Sequence, residues 1–128
     1  MNQPSCRGGG GVMRVLILED DPFIGMDLQG IVEGEGHEVV GVHRSLAEAS
    51  KRLSDVFEFA LLDVDVLDGK SFELASALDD RKIPFAFVSG SNRNELPAKF
   101  RDAHFVAKPY SEAAIVRLLP VGHCVSVL

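Results

Sequence analysis

From Met13 onward the chain alternates short, unbroken apolar runs with stretches whose apolar residues recur every three or four positions. Arg14-Val15-Leu16-Ile17-Leu18 is the first run, rich in aliphatic residues and suited to a strand buried on both faces. Further strands are predicted over Glu38–Val42, Phe57–Leu62, Pro84–Val88 and Ala103–Ala107. Between them lie helical patterns. Pro22 suits the first turn of a helix in which Ile24, Leu28, Ile31 and Val32 share a face, and Gly34 and Gly36 close it. Ser45 reads as the N-cap of a helix through Leu53, with Glu48 completing a capping box. After Asp63 the segment VDVLDGK reads as a loop, and Ser71 as the cap of a helix carrying Phe72, Leu74, Ala75 and Leu78. Ser91–Lys99 holds Asn92, Asn94 and Pro97, which predicts at most a short helix. Ser111–Leu119 is the last helix, ended by Pro120.

Five strand-then-helix units in succession call for a doubly wound, five-stranded parallel sheet with helices on both faces, an α/β fold whose fourth helix is short or weak. Such a fold gathers its functional loops at the carboxyl ends of the strands. One domain is expected over 13–120, preceded by a leader over 1–12 with four consecutive glycines and followed by an apolar tail over 121–128.

Composition narrows the function. The chain has 128 residues, 46% hydrophobic and 25% charged, ordinary for a globular protein. A net charge of −6 argues against direct nucleic-acid binding, which needs a basic face. No apolar run approaches the roughly 18 residues that cross a bilayer, and the polar start does not resemble a secretion signal. Cys6 and Cys124 lie near opposite ends without metal-type spacing. They read as reduced thiols of a cytoplasmic protein, with a terminus-to-terminus disulfide as the alternative.

The residues that directly follow the strands change the picture most. The first strand runs into Glu19-Asp20-Asp21, the third into Asp63, the fourth into Ser89 and the fifth into Lys108-Pro109. Taken singly, each has a plain explanation: acids before a helix favour its dipole, Asp68-Gly69 is a turn, and Asp63 and Lys108 are ordinary strand-end residues. Their order along one sheet edge favours a site. Carboxylates, a hydroxyl and an ammonium are what metal-assisted phosphoryl transfer to a carboxylate needs. Asp20 and Asp63 can ligate Mg²⁺, with Glu19 holding a ligand water. Asp63 can attack phosphorus. Lys108 and Ser89 can meet phosphoryl oxygens. His37, His43, His104 and His123 share no spacing and read as structural or solvated, and Phe85 and Phe87 as core.

At these residues the chain resembles the response-regulator receiver family, from Met13 to about Leu119. RVLILEDDPFI resembles the family's first strand and acidic cluster, LLDVDVLDGKSF its phosphoacceptor segment and FVAKPY its lysine-proline segment. The resemblance implies a flavodoxin-like (βα)5 fold. Residue by residue it implies Glu19 and Asp20 as the acidic metal pair, Asp63 as the phosphoacceptor, Ser89 as the switch hydroxyl and Lys108 as the phosphate-binding lysine. Phe105 becomes the aromatic that turns inward on activation, and the backbone carbonyl of Asp65 a further Mg²⁺ ligand. It also implies a cis Lys108-Pro109 bond. PFAFVSGS is similar to a segment of the alphaproteobacterial branch called FAT GUY, with Ser89 for threonine and Ser91 for tyrosine. Leu67 stands where receivers usually carry proline. Asp65, beside the acceptor, carries a second carboxylate able to repel the phosphoryl group or to orient a water.

Two other readings use the same residues. Asp63-Val64-Asp65 resembles the nucleophile loop of haloacid-dehalogenase-type phosphatases, although there the loop opens the chain. A receiver-like module that never takes phosphate would usually have lost the acceptor, a metal carboxylate or the lysine, and none is lost here. A receiver followed by so short a tail is expected to stand alone, with a piece of a longer regulator as the alternative. It would take phosphate from a sensor histidine kinase, of the HWE or a related type, or exchange it with a histidine phosphotransfer protein. It would then act through contacts with an effector protein, without binding nucleic acid or membrane.

Overall fold

The computed structural model describes residues 12–119. The expected leader, except Val12, and the tail over 121–128, with Cys6, Cys124 and His123, lie outside the described residues.

Five parallel strands form one sheet: β1 (Arg14–Leu18), β2 (Glu38–His43), β3 (Phe59–Leu62), β6 (Phe85–Ser89) and β7 (His104–Ala107), in the order β2-β1-β3-β6-β7. The order reverses direction between β1 and β3, the point at which open sheets of this class leave a crevice. Alternation along the strands explains both faces. Leu16, Leu18, Ala60, Leu62 and Phe87 point into a core beneath α2 (Leu46–Ser50) and α3 (Phe72–Asp80). Val15, Ile17, Phe59, Leu61, Ala86 and Val88 point into a second core beneath α1 (Pro22–Gly34) and α4 (Glu112–Leu118). The flavodoxin-like expectation holds.

The differences from expectation are local. The third strand begins at Phe59; just before it, the Glu58 side chain takes the Arg14 N–H at 2.7 Å. The helix begun at Ser45 stops at Ser50 and continues to Leu53 as turns. Ser45 does accept from the Glu48 N–H, but Glu48 Oε1 takes the Arg44 N–H at 3.0 Å instead of closing a box on Ser45. Ser71 stands at the N-cap position of α3 without a side-chain cap bond; its hydroxyl is buried and unpartnered.

The predicted loop VDVLDGK contains a miniature hairpin, β4 (Asp65–Val66) against β5 (Gly69–Lys70), in register Asp65↔Lys70. Gly69, at φ +138°, supplies a backbone conformation closed to other residues.

The fourth connection has no α-helix. Two 3₁₀ turns, Arg93–Glu95 and Ala98–Phe100, replace it. Side chains substitute for the missing ladder. Arg93 Nη1 donates to the carbonyls of Arg101 (2.8 Å) and Ala103 (2.9 Å), and Arg101 Nε donates to Leu96 O (2.7 Å). Phe100 buries itself against Phe72, Phe85 and Phe87, with ring centroids 5.8–6.4 Å apart.

Candidate functional site

The acidic cluster after β1 divides its labour. Asp21 is the N-cap of α1, accepting from the N–H groups of Phe23 (2.9 Å) and Ile24 (3.3 Å), so the helix-dipole explanation holds for this residue. Glu19 and Asp20 are left for the site. One carboxylate oxygen from each of Glu19, Asp20 and Asp63 lies within 4.8 Å of the others. Because β1 and β3 are neighbours, the acids at their ends meet at the switch point of the sheet. The Asp63 N–H donates to Leu18 O and the Glu19 N–H to His43 O, so both backbones are fixed by continued sheet pairing.

Lys108 completes the cluster. Its ammonium lies 2.8 Å from Glu19 Oε1 and 3.0 Å from Asp63 Oδ2. Its own N–H donates to Ser89 O, which ties the end of β7 to the end of β6. The Lys108-Pro109 peptide is cis, as the resemblance implied. Burial alone would lower the Lys108 pKa, but hydrogen bonds to Glu19 and Asp63 outweigh it and hold the ammonium above its ordinary value. Burial pushes the Glu19 carboxyl up, with Lys108 and the Asp21 N–H (3.1 Å) pulling against it. Asp63 is 6% exposed and Glu19 1%, whereas Asp20 is more open. Hard carboxylate oxygens at this spacing, beside a single ammonium, suit a small divalent cation.

Ser89 is buried at the end of β6, and its Oγ accepts from the Ser91 N–H (3.1 Å). That bond leaves the hydroxyl proton free to donate. Asp65 spans the mouth: its carboxylate accepts from Lys70 Nζ and from Ser91 Oγ (2.9 Å), joining the hairpin to the loop after β6. These bonds, Lys70 first, hold its pKa below the usual carboxylate range. The Asp65 side chain is thus engaged by partners other than the acid cluster. Phe105 lies partly buried on β7, with the Arg93 guanidinium 5.4 Å from its ring centroid. The structure therefore brings together Glu19, Asp20, Asp63 and Lys108, sets Ser89 at the neighbouring strand end, and keeps Phe105 on the edge strand.

Some residues escape sequence reasoning. Asp68, read as a turn residue, accepts from the N–H groups of Leu46 (2.6 Å) and Ala47 (3.1 Å) and so caps α2 from the hairpin. The signal, an aspartate before glycine, is indistinguishable from any turn. Arg44 Nε reaches Asp20 O at 3.4 Å, and Tyr110 OH donates to Asp27 Oδ2 at 2.7 Å. Among the described histidines, His37 is structural: its Nδ1 accepts from the Met13 N–H at 3.1 Å.

No family model matches the chain. Among curated proteins, the Phyllosphere-induced regulator PhyR of Methylorubrum extorquens is 34% identical over 106 residues, which are 79% of this chain and 40% of that protein. Among solved structures, SdrG from Sphingomonas melonis is 33% identical with a TM-score of 0.75, over 84% of this chain and 93% of that one. The response regulator PhyR from Brucella abortus is 29% identical with a TM-score of 0.71, over 84% of this chain and 46% of that one. The chain thus spans less than half the length of either PhyR.

Proposed function

Because the chain belongs to the response-regulator receiver family, and to its PhyR-like branch, we propose that it takes a phosphoryl group onto Asp63 and thereby switches protein–protein contacts. The donor in this reading is the phosphohistidine of a sensor kinase or of a histidine phosphotransfer protein. An Asp63 carboxylate oxygen attacks phosphorus, the P–N bond breaks, and its electron pair leaves with the imidazole nitrogen.

Asp20 and Asp63 would hold Mg²⁺ directly, Glu19 through a water, with the Asp65 backbone carbonyl as a further ligand. Bound there, the ion would supply neutralising charge for the phosphoryl oxygens. The chain's own residues do the rest. Lys108 neutralises Asp63 in the resting state and is already placed to turn toward an incoming phosphoryl oxygen. Ser89 offers its hydroxyl proton to another oxygen. The observation that carries the reading is the Lys108 ammonium bridging Glu19 and Asp63 beside Asp20.

Incubation with acetyl phosphate and Mg²⁺, followed by mass spectrometry of the intact protein, tests it. One added phosphoryl group is expected in the wild type and none in Asp63→Ala or without the metal. An adduct that survives in Asp63→Ala would overturn the assignment. Effectors are expected among proteins captured by the phosphorylated form and not by Asp63→Ala.

A further inference from the structure

We propose that Tyr110 is a positioning residue for this site: its hydroxyl, anchored on Asp27, fixes the loop that aims Lys108 at Asp63. The inference rests on the reading of Asp63 as phosphoacceptor.

The contacts form a closed ring. Lys108 Nζ reaches Glu19 Oε1 at 2.8 Å, and Glu19 Oε2 accepts from the Asp21 N–H at 3.1 Å. Asp21 caps α1, and Asp27 lies six residues along that helix, about 9 Å down its axis. Tyr110 OH donates to Asp27 Oδ2 at 2.7 Å, and only Pro109 separates Tyr110 from Lys108. Every other link in the ring is a backbone segment, a cap or an ion pair of the site itself. Among the described residues, the Tyr110–Asp27 bond is the one side-chain hydrogen bond that ties the lysine loop to α1 from outside the acid cluster. Its tip is polar while its ring packs against the core between α1 and α4. Burial, and then the Asp27 carboxylate, push the phenol well above its ordinary pKa, so the hydroxyl keeps its proton and donates at neutral pH.

A lysine that must leave two carboxylates and meet a phosphoryl oxygen depends on where its backbone is held. Loosening the loop should cost transfer rate without weakening the carboxylates' grip on metal. Tyr110→Phe keeps the ring and removes the hydroxyl. Asp27→Ala removes the acceptor, and Asp27→Asn keeps an acceptor oxygen.

The test compares adduct formation from acetyl phosphate with Mg²⁺ affinity by calorimetry in all four proteins. Tyr110→Phe and Asp27→Ala are expected to slow adduct formation about five-fold, the worth of one hydrogen bond, with Mg²⁺ affinity within about two-fold of wild type. Asp27→Asn should retain the wild-type rate. Because Tyr110 is the sole tyrosine and the chain has no tryptophan, intrinsic emission should change in Asp27→Ala and report loss of the bond. Wild-type rates in Tyr110→Phe, or losses matched by weaker Mg²⁺ binding, or an Asp27→Asn as slow as Asp27→Ala, would each overturn the proposal while the acceptor reading stands. A wild type that takes no phosphoryl group overturns both.

Discussion

Lys108 Nζ lies 3.0 Å from Asp63 Oδ2, so the acceptor's charge is met by an ammonium before any phosphoryl group arrives. Lys108→Ala removes that counter-charge and leaves Glu19 and Asp63 facing each other beside Asp20. Phosphorylation from acetyl phosphate should slow by about 100-fold or more, as when a preorganised charge is removed from a transition state. Mg²⁺ should bind more tightly, because the ammonium no longer competes for the same oxygens. Calorimetry showing weaker Mg²⁺ binding in this variant would contradict the arrangement.

Asp65 is held by Lys70 and Ser91, yet it stands two residues beyond the acceptor at the mouth of the site. A carboxylate there can orient an attacking water and repel the phosphoryl group. Asp65→Asn is expected to lengthen the half-life of the phosphorylated form, by about ten-fold at most, since the side chain is not free to act as a full general base. Unchanged dephosphorylation rates would remove Asp65 from the mechanism.

His37 fastens the start of β1 by accepting the Met13 N–H, and burial holds its pKa below the ordinary histidine value. The sign of the effect follows. As pH falls through about 6.5 the unfolded chain takes a proton on His37 that the folded chain resists, so stability present above that pH is lost below it. Urea midpoints should fall between about pH 7 and pH 5 more steeply for wild type than for His37→Gln, in which this residue no longer titrates.

Phe87 is fully buried at the centre of the ring formed by Phe72, Phe85 and Phe100. Phe87→Ala should cost about 3–5 kcal/mol, read from urea unfolding, because transfer and cavity terms add at a site with rigid aromatic walls. A loss under about 1 kcal/mol would mean that the ring collapses into the gap.

The sheet was legible because its strands carry their own signal: RVLIL, and the run from Phe57 that ends in FALL, are short, largely apolar and set between helical patterns, as doubly covered strands are. The site was legible because strand order converts sequence position into a shared edge, so Asp20, Asp63 and Lys108 needed no coordinates to be grouped. What could not be read were the partners of residues with several equally ordinary uses. Asp68 could be a turn or a cap, and only the placement of the hairpin beside α2 decides. Ser71 carries a capping residue's identity but a backbone conformation that gives its hydroxyl nothing to bind. Tyr110 and Asp27 are 83 positions apart, and no local pattern links them.

The segment between Ser91 and Ala103 has a consequence of a different kind. An α-helix is a cooperative unit, whose internal ladder obliges it to shift or melt as a whole. Here the connection is stitched instead by two arginine side chains, Arg93 Nη1 holding the carbonyls of Arg101 and Ala103 and Arg101 Nε that of Leu96. Backbone amides along it should exchange with solvent one by one, at graded rates, ahead of those in β6. The sheet edge at β7 is thus bordered by a hem that can be undone stitch by stitch.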